Sequence, residues 1–212
     1  MMSETLFKNL SRDQIEKLIV DLGASRKIYK KGDYVCFAGN EITSIYYLEK
    51  GAIQAESVDY AGNVSIISTI EAGGVFGGAF AFVGGVCPLD VVALENSTAV
   101  VFPASIFFRL TSDEKSRETF MRNFVSVLAA KSVSLITKIN HVTAKSIRGK
   151  VLAYLTTQST IAHSDEFTIP FSRQQLADYL SVDRSALSKE LSLMKQDGLI
   201  DYKKSKFVLL KK

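Results

Sequence analysis

The sequence predicts an α+β fold: an N-terminal antiparallel β-barrel, a long helix, and a C-terminal unit of short helices closed by a β-hairpin. Three observations carry that expectation. From Ile28 to about Phe108, short β-prone runs alternate with turn residues. From Asp113 to His141 the chain lacks Gly and Pro and repeats apolar residues at helical spacing. Beyond Phe167, two capped amphipathic stretches are followed by two short strands. The corresponding divisions are residues 1–112, 113–145 and 146–212.

Composition sets the outer limits. The chain has 212 residues, 47% of them hydrophobic and 23% charged, enough to bury one large core or two smaller ones without disulfide staples. No apolar run approaches the ~18 residues that a membrane span needs. The opening MMSETLFKNLSRDQ lacks the basic-then-apolar layout of a secretion signal, so a cytoplasmic protein without a membrane partner is expected. Cys36 and Cys87 stand far apart in unlike contexts, and His141 and His163 are isolated. That is too few ligands for an iron–sulfur cluster, a zinc site or a haem, so no metal and no cofactor are expected. There is no pair of carboxylates near a His, no nucleophile–base set and no phosphate loop. No catalytic residue and no enzyme activity are expected.

The elements follow in order. Ser11 and Gln14 make an S-x-x-Q capping box for a helix over residues 11–20, whose stripe is Ile15, Leu18 and Ile19. The runs Ile45–Leu48, Val64–Ile70, Val91–Leu94 and Val100–Phe102 read as strands, punctuated by glycines at 32, 39, 51, 62, 73 and 84, with Asp59 to Asn63 as a hairpin loop. Short strands at this spacing indicate an antiparallel sandwich or barrel. A helix of ~29 residues then spans ~44 Å, longer than a compact domain needs. Met121, Phe124, Leu128, Leu135, Ile139 and Val142 mark one stripe on it, widened by Phe120, Val125, Val127, Ala129, Val133 and Ile136. Apolar surface on more than one side calls for two partners, its own barrel and a second copy of the same helix, so a homodimer is expected. An ordinary core helix of one domain is the alternative. The helix breaks between Val142 and Ser146, and another runs from Ser146 to Gln158.

The C-terminal part is the most explicit. Phe167 to Ile169 is a short strand ended by Pro170; Ser172 and Gln175 form a capping box, and Leu176, Ala177 and Leu180 face inward. Ser181 and Val182 turn the chain, and Asp183 caps a second helix whose inner face is Leu187, Leu191 and Met194. Arg184, Ser185, Ser188, Lys189 and Ser192 share its outer face. This is a helix-turn-helix whose second helix exposes short polar and basic side chains, able to reach base edges in a major groove. Ile200–Tyr202 and Phe207–Leu210, joined by Lys203, Lys204, Ser205 and Lys206, read as a wing with a basic tip. Residues 145–212 carry 12 Lys/Arg against 7 Asp/Glu, a net +5, while the remainder carries 14 against 15. A basic excess at one end fits a polyanionic partner. Double-stranded DNA is therefore expected, with Arg173, Lys203, Lys204 and Lys206 on phosphates, Ser172 also in the interface, and the outer face of the second helix on bases. Two positions depart from the ideal motif: Ser181 stands where Gly is favoured, and Glu190 where an apolar residue is common.

FSRQQLADYLSVDRSALSKELSLMKQDGLI resembles the DNA-binding signature of the Crp/Fnr family of bacterial transcription regulators, and KKGDYVCFAGNEITSIYYLEKGAIQAE is similar to that family's first barrel strands. The resemblance implies a cyclic-nucleotide-binding-like jelly roll, a dimerisation helix and a winged helix-turn-helix, with an effector in the barrel setting the geometry of the DNA-binding heads and RNA polymerase as a further partner. Family members that bind cyclic AMP carry Gly-Glu-Leu and then Arg-Ser-Ala; these fall on Gly77-Gly78-Ala79 and Pro88-Leu89-Asp90. The Glu and Arg that hold ribose and phosphate become Gly78 and Pro88, and the polar residues that meet adenine fall near Leu135 and Ile136. A phosphate buried without a cation or donors costs several kcal/mol, so cyclic AMP is not the expected effector. What remains is a pocket of Gly77, Gly78, Ala79 and Phe80, with Cys87, Pro88 and Leu89 from the following loop and Phe124, Leu128, Lys131 and Leu135 from the long helix. It suits an apolar effector with one acidic group facing Lys131. A packed, empty barrel is an alternative; others are a Cys87-based redox sensor and a ligand-binding module acting through protein partners. A symmetric dimer also calls for an inverted-repeat operator with half-site centres ~34 Å apart. Lys189 and Ser185 stand where members commonly carry Arg and Glu, so an A/T-rich half-site is expected.

Overall fold

The computed structural model describes residues 6–105 and 111–210. Phe108, the expected end of the barrel, lies outside these residues. The first helix, α1 (Arg12–Asp21), begins at Ser11, whose hydroxyl accepts from the Gln14 amide while the Gln14 side chain accepts from the Ser11 amide at 2.8 Å. Both halves of the predicted capping box are present, and Leu18 and Ile19 are buried beneath it.

The β-rich region folds as two four-stranded antiparallel sheets and not as one closed barrel. One holds β1 (Ser25–Tyr29), β8 (Ser97–Pro103), β3 (Ser44–Lys50) and β6 (Val75–Phe76) in that order; the other holds β2 (Tyr34–Cys36), β7 (Asp90–Ala93), β4 (Ala52–Val58) and β5 (Val64–Glu71). Alternation along the strands feeds two cores. Val100 and Phe102 of β8 and Ile45 of β3 join Leu18, Leu22, Phe120 and Phe124 on one side of their sheet. Ala99 and Leu48 point the other way, between the sheets, with Ile53, Ala55, Val91 and Ala93. Because side chains alternate with period two, a central strand buried on both faces must be apolar almost throughout, as β8 is. The hairpin expected at Asp59 to Asn63 joins β4 to β5, and the Asp59 carboxylate accepts from the Ala61 and Asn63 amides at 2.8 and 2.9 Å. Gly62 supplies the positive φ of +83° that this turn requires.

A short helix, α2 (Gly78–Val83), separates β6 from β7, and the long helix α3 runs unbroken over Glu114–Val142. The chain divides into two compact units, 1–131 and 132–212, with the division inside α3. The second unit contains α4 (Ile147–Ala162), β9 (Glu166–Thr168), α5 (Arg173–Leu180), α6 (Arg184–Gln196), β10 (Ile200–Lys203) and β11 (Lys206–Leu209). Its core is built from Val151, Tyr154 and Leu155 of α4 against Leu176, Ala177, Leu180, Leu187, Leu191 and Met194, closed by Ile200 and Phe207. No helix among the described residues is long and apolar enough to cross a membrane.

Candidate nucleic-acid interface and effector site

The second unit assembles the expected helix-turn-helix residue by residue. Ser172 caps α5 and closes the box with Gln175. Asp183 caps α6, accepting from the Ala186 amide at 2.8 Å and from the Ser185 hydroxyl. These donors hold the Asp183 carboxyl below the usual carboxylate range, the Ser185 hydroxyl first among them. Leu187, Leu191 and Met194 are fully buried, so helical geometry turns Arg184, Ser185, Lys189 and Ser192 outward, where all four are exposed; Ser188 is half-buried. The Ser188 and Ser192 hydroxyls donate to the Arg184 and Ser188 carbonyls at 2.9 and 3.1 Å.

Both departures from the ideal motif have local explanations. Ser181 adopts φ +53° and ψ +57°, the left-handed conformation that Gly takes without strain. The Lys150 ammonium donates to the Leu180 and Ser181 carbonyls at 3.2 and 3.5 Å, covering the negative end of α5. Glu190 is not stranded at an apolar site. The Arg148 guanidinium reaches it at 2.6 Å and reaches Asp197 at 2.7 Å, joining α4 to both ends of the α6 C-terminal half. Spacing along the chain gave no sign of this pair, since its members are 42 residues apart.

The wing forms as a three-stranded sheet with β11 between β10 and β9, Lys203 opposite Lys206 and Phe207 opposite Phe167. Lys204 sits at the tip with φ +57°. Two expected phosphate contacts are engaged elsewhere. The Arg173 guanidinium lies 5.2 Å from the centre of the Tyr202 ring and 5.7 Å from that of Phe207, a cation–π stack that ties the start of α5 to the wing. Lys206 pairs with Glu166. Lys203 and Lys204 remain exposed.

The expected effector residues are brought together only in part. Gly77 and Gly78 are buried at the start of α2, where a Cβ on Gly77 would come 2.7 Å from the Ser44 carbonyl. A Cβ on Gly78 would come 3.0 Å from Phe124 Cζ and 3.5 Å from Leu128 Cδ2. Phe124 and Leu128 therefore fill the space over Gly78. The Lys131 ammonium donates to the Val75 carbonyl, and burial of that group pushes it below the usual lysine range, although the residue as a whole is exposed. Cys87 is buried between the sheets, Phe80 and Leu89 pack at the edge of the same cluster, and Ala79, Pro88 and Leu135 are exposed. The space between the sheets, lined by Tyr29, Val35, Tyr46, Ile53, Ile70 and Phe76 among others, has no room for a water molecule.

Residues 26–114 match the family profile of the cyclic nucleotide-binding domain, and residues 149–212 that of the Crp-like helix-turn-helix domain. The chain belongs to the Crp/Fnr family of transcription regulators. Its Crp-type fold joins a ligand-binding domain to a helix-turn-helix DNA-binding domain. Among solved structures, CprK complexed with OCPA superposes with a TM-score of 0.60 at 19% identity, covering 92% of both chains. The regulator CLP of Xanthomonas campestris, described as c-di-GMP responsive, superposes with a TM-score of 0.58 at 15% identity, covering 95% of this chain and all of that one. The catabolite activator protein of Thermus thermophilus gives 0.56 at 16% identity, over 96% of this chain and 92% of that one. At these identities the likeness is one of fold. Among curated proteins, cGMP-dependent protein kinase 2 of mouse is 27% identical over 128 residues, 59% of this chain and 16% of the kinase. This Crp/Fnr chain thus spans a small fraction of the kinases it matches.

Proposed function

We propose that this Crp/Fnr protein is a cytoplasmic, homodimeric, sequence-specific DNA-binding regulator whose N-terminal domain answers to a small molecule other than cyclic AMP. The observation that carries the reading is the outer face of α6. Four exposed polar or basic side chains lie on a helix whose inner face is sealed, beside a wing whose tip is lysine. A packing helix has no need of such a face. The division of labour runs through residues 1–112 for sensing, 113–145 for dimerisation and 146–212 for DNA, with RNA polymerase as the further partner of the DNA-bound form.

Dimerisation is supported by α3. Phe124, which belongs to the expected stripe, is buried in the core of the N-terminal unit and is not available to a partner. The exposed seam passes instead through Val125, Leu135 at 62% exposure and Ile139 at 57%. With half-buried Leu128 these residues recur at steps of three, seven and four, the period of a two-stranded coiled coil. Effector identity rests on chemistry that is missing at two positions. Gly78 faces an aromatic ring where a cyclic nucleotide needs a carboxylate, and Pro88 offers no charge.

Selection from random duplex DNA tests the reading. Enriched sequences should form an inverted repeat with A/T-rich half-sites spaced about one helical turn. A recovered pool with no shared motif, bound with equal affinity to the starting pool, would remove sequence-specific regulation.

A further inference from the structure

Cys36 and Cys87 are 51 positions apart in sequence, yet the fold sets one thiol against the other. Cys36 ends β2, and Cys87 lies in the loop between α2 and β7. The segment that follows Cys36 runs beside the one that carries Cys87. The Gly39 amide donates to the Cys87 carbonyl at 2.8 Å, and the Cys87 amide donates to the Asn40 carbonyl at 2.9 Å. This holds the two segments side by side like a short piece of sheet. Both side chains belong to the cluster between the sheets and both cysteines are free. Each thiol donates to a nearby carbonyl, Cys36 to Phe37 at 3.4 Å and Cys87 to Leu89 at 3.3 Å.

We propose that Cys36 and Cys87 form a dithiol that a hydroperoxide converts to an intrachain disulfide, giving the N-terminal domain a second, covalent input. The loop supplies the access. Residues 84–88 are held to the 39–42 segment by the two bonds just named and by a long one, Ile42 amide to Gly85 carbonyl at 3.4 Å. Val86 is already exposed, and Gly84 takes φ +69° at the end of α2. Breaking so few bonds opens the loop locally without unfolding either sheet. Burial pushes the Cys36 thiol up to about 11, the neighbouring Cys87 adding to the effect, so Cys36 stays protonated while Cys87 moves out to meet the oxidant. The Cys87 sulfur attacks the peroxide O–O bond; the S–O bond of a sulfenic acid forms, the O–O bond breaks, and the departing hydroxide takes the thiol proton as water. Cys36 sulfur then displaces the sulfenic hydroxyl. The S–S bond forms, the S–O bond breaks, and the Cys36 proton leaves with that hydroxyl as a second water. Two sulfurs lose two electrons in all, and the peroxide gains them.

The test uses the full chain. It is incubated with hydrogen peroxide, quenched in acid, alkylated and digested without reductant. The expected product is one peptide pair linked through Cys36 and Cys87, with both thiols lost together, the chain monomeric on a non-reducing gel, and full reversal by dithiothreitol. Cys36→Ala should trap the sulfenic acid of Cys87, captured by dimedone. Should that variant fail to fold, the linked peptide in the unaltered protein decides alone. Two thiols still open to alkylation after a peroxide dose that oxidises them in urea would overturn the proposal. So would sulfinic or sulfonic products, or disulfides between chains, without the 36–87 pair.

Discussion

Four residues of the C-terminal unit turn local chemistry into measurable behaviour. Lys189 is exposed one turn along α6 from Ser185, where a lysine can reach guanine acceptors without the fixed two-pronged fork of arginine. Lys189→Ala should weaken operator binding by about 1–3 kcal/mol and relax preference at one base pair per half-site. Lys204→Ala, at the wing tip, should weaken all sequences alike and flatten the salt dependence. Competition binding against operator and scrambled duplexes separates the two. Ser181 holds a left-handed backbone that costs a residue with a Cβ about 1–2 kcal/mol. Ser181→Gly should raise the unfolding free energy by about 1 kcal/mol in urea, net of the extra freedom glycine gains in the unfolded chain. His141, buried at the end of α3, has both ring nitrogens bonded. The Thr157 hydroxyl spends its hydrogen on the Ala153 carbonyl at 3.0 Å, so it accepts from His141 Nε2 at 2.9 Å; Nδ1 is then the acceptor for the Tyr179 hydroxyl at 3.0 Å. A proton on Nδ1 breaks that arrangement. Tyr154 and Tyr179 pack around the ring, and Lys138 lies over Tyr179, so among the described residues the charge meets no counter-ion there. Burial holds His141 below its ordinary value of 6.5. The unfolded chain therefore binds the proton first, and stability that is complete above pH ~6.5 is lost as pH falls through the lower folded value. Urea titrations from pH 7.5 to 5 should show that slope, and His141→Gln should flatten it.

Among the elements, α3 is the one on which the proposed dimer rests. Its sequence is apolar on more than one side because Phe120 and Phe124 face the N-terminal core while Val125, Leu135 and Ile139 remain exposed. An exposed apolar seam of this period finds its cover most simply in a copy of itself about a two-fold axis. Leu135→Glu combined with Ile139→Glu should give monomers, and because neither side chain is buried in the chain the thermal melt of each unit should survive. Sedimentation of the double variant as an unchanged dimer would move the interface elsewhere. Loss of the dimer should also cost far more DNA affinity than any single base contact, since both half-sites must then be bound independently.

The molecule as a whole couples a domain of the cyclic nucleotide-binding type to a DNA-binding head, which makes the ligand question sharp. The space over Gly78 is taken by Phe124 and Leu128, and Lys131 already bonds the Val75 carbonyl. A cyclic phosphate entering here would lose water without gaining a cation, at a cost of several kcal/mol. Calorimetry with cyclic AMP at millimolar concentration should show no saturable heat. A micromolar dissociation constant would show that Phe124 and the α2 segment rearrange to make a site absent from this packing.

How much of this was legible beforehand follows from the range of the interactions. Caps, turns and periodicities act over a few residues, so the Ser11, Ser172 and Asp183 caps, the hairpin at Asp59, the extent of α3 and the inner faces of α5 and α6 could all be read from neighbours in the chain. The polar face of α6 was legible for the same reason, because 3.6-residue geometry fixes the outer face once the inner one is known. Contacts between distant segments leave no such trace. Which strands share each of the two sheets, that Phe124 turns inward and yields its place on the seam to Val125, that Arg148 answers Glu190, that Arg173 stacks on the wing, and that Cys36 meets Cys87 were decided by tertiary packing alone. Local sequence sets which faces must be buried; only the folded chain determines what each face is buried against.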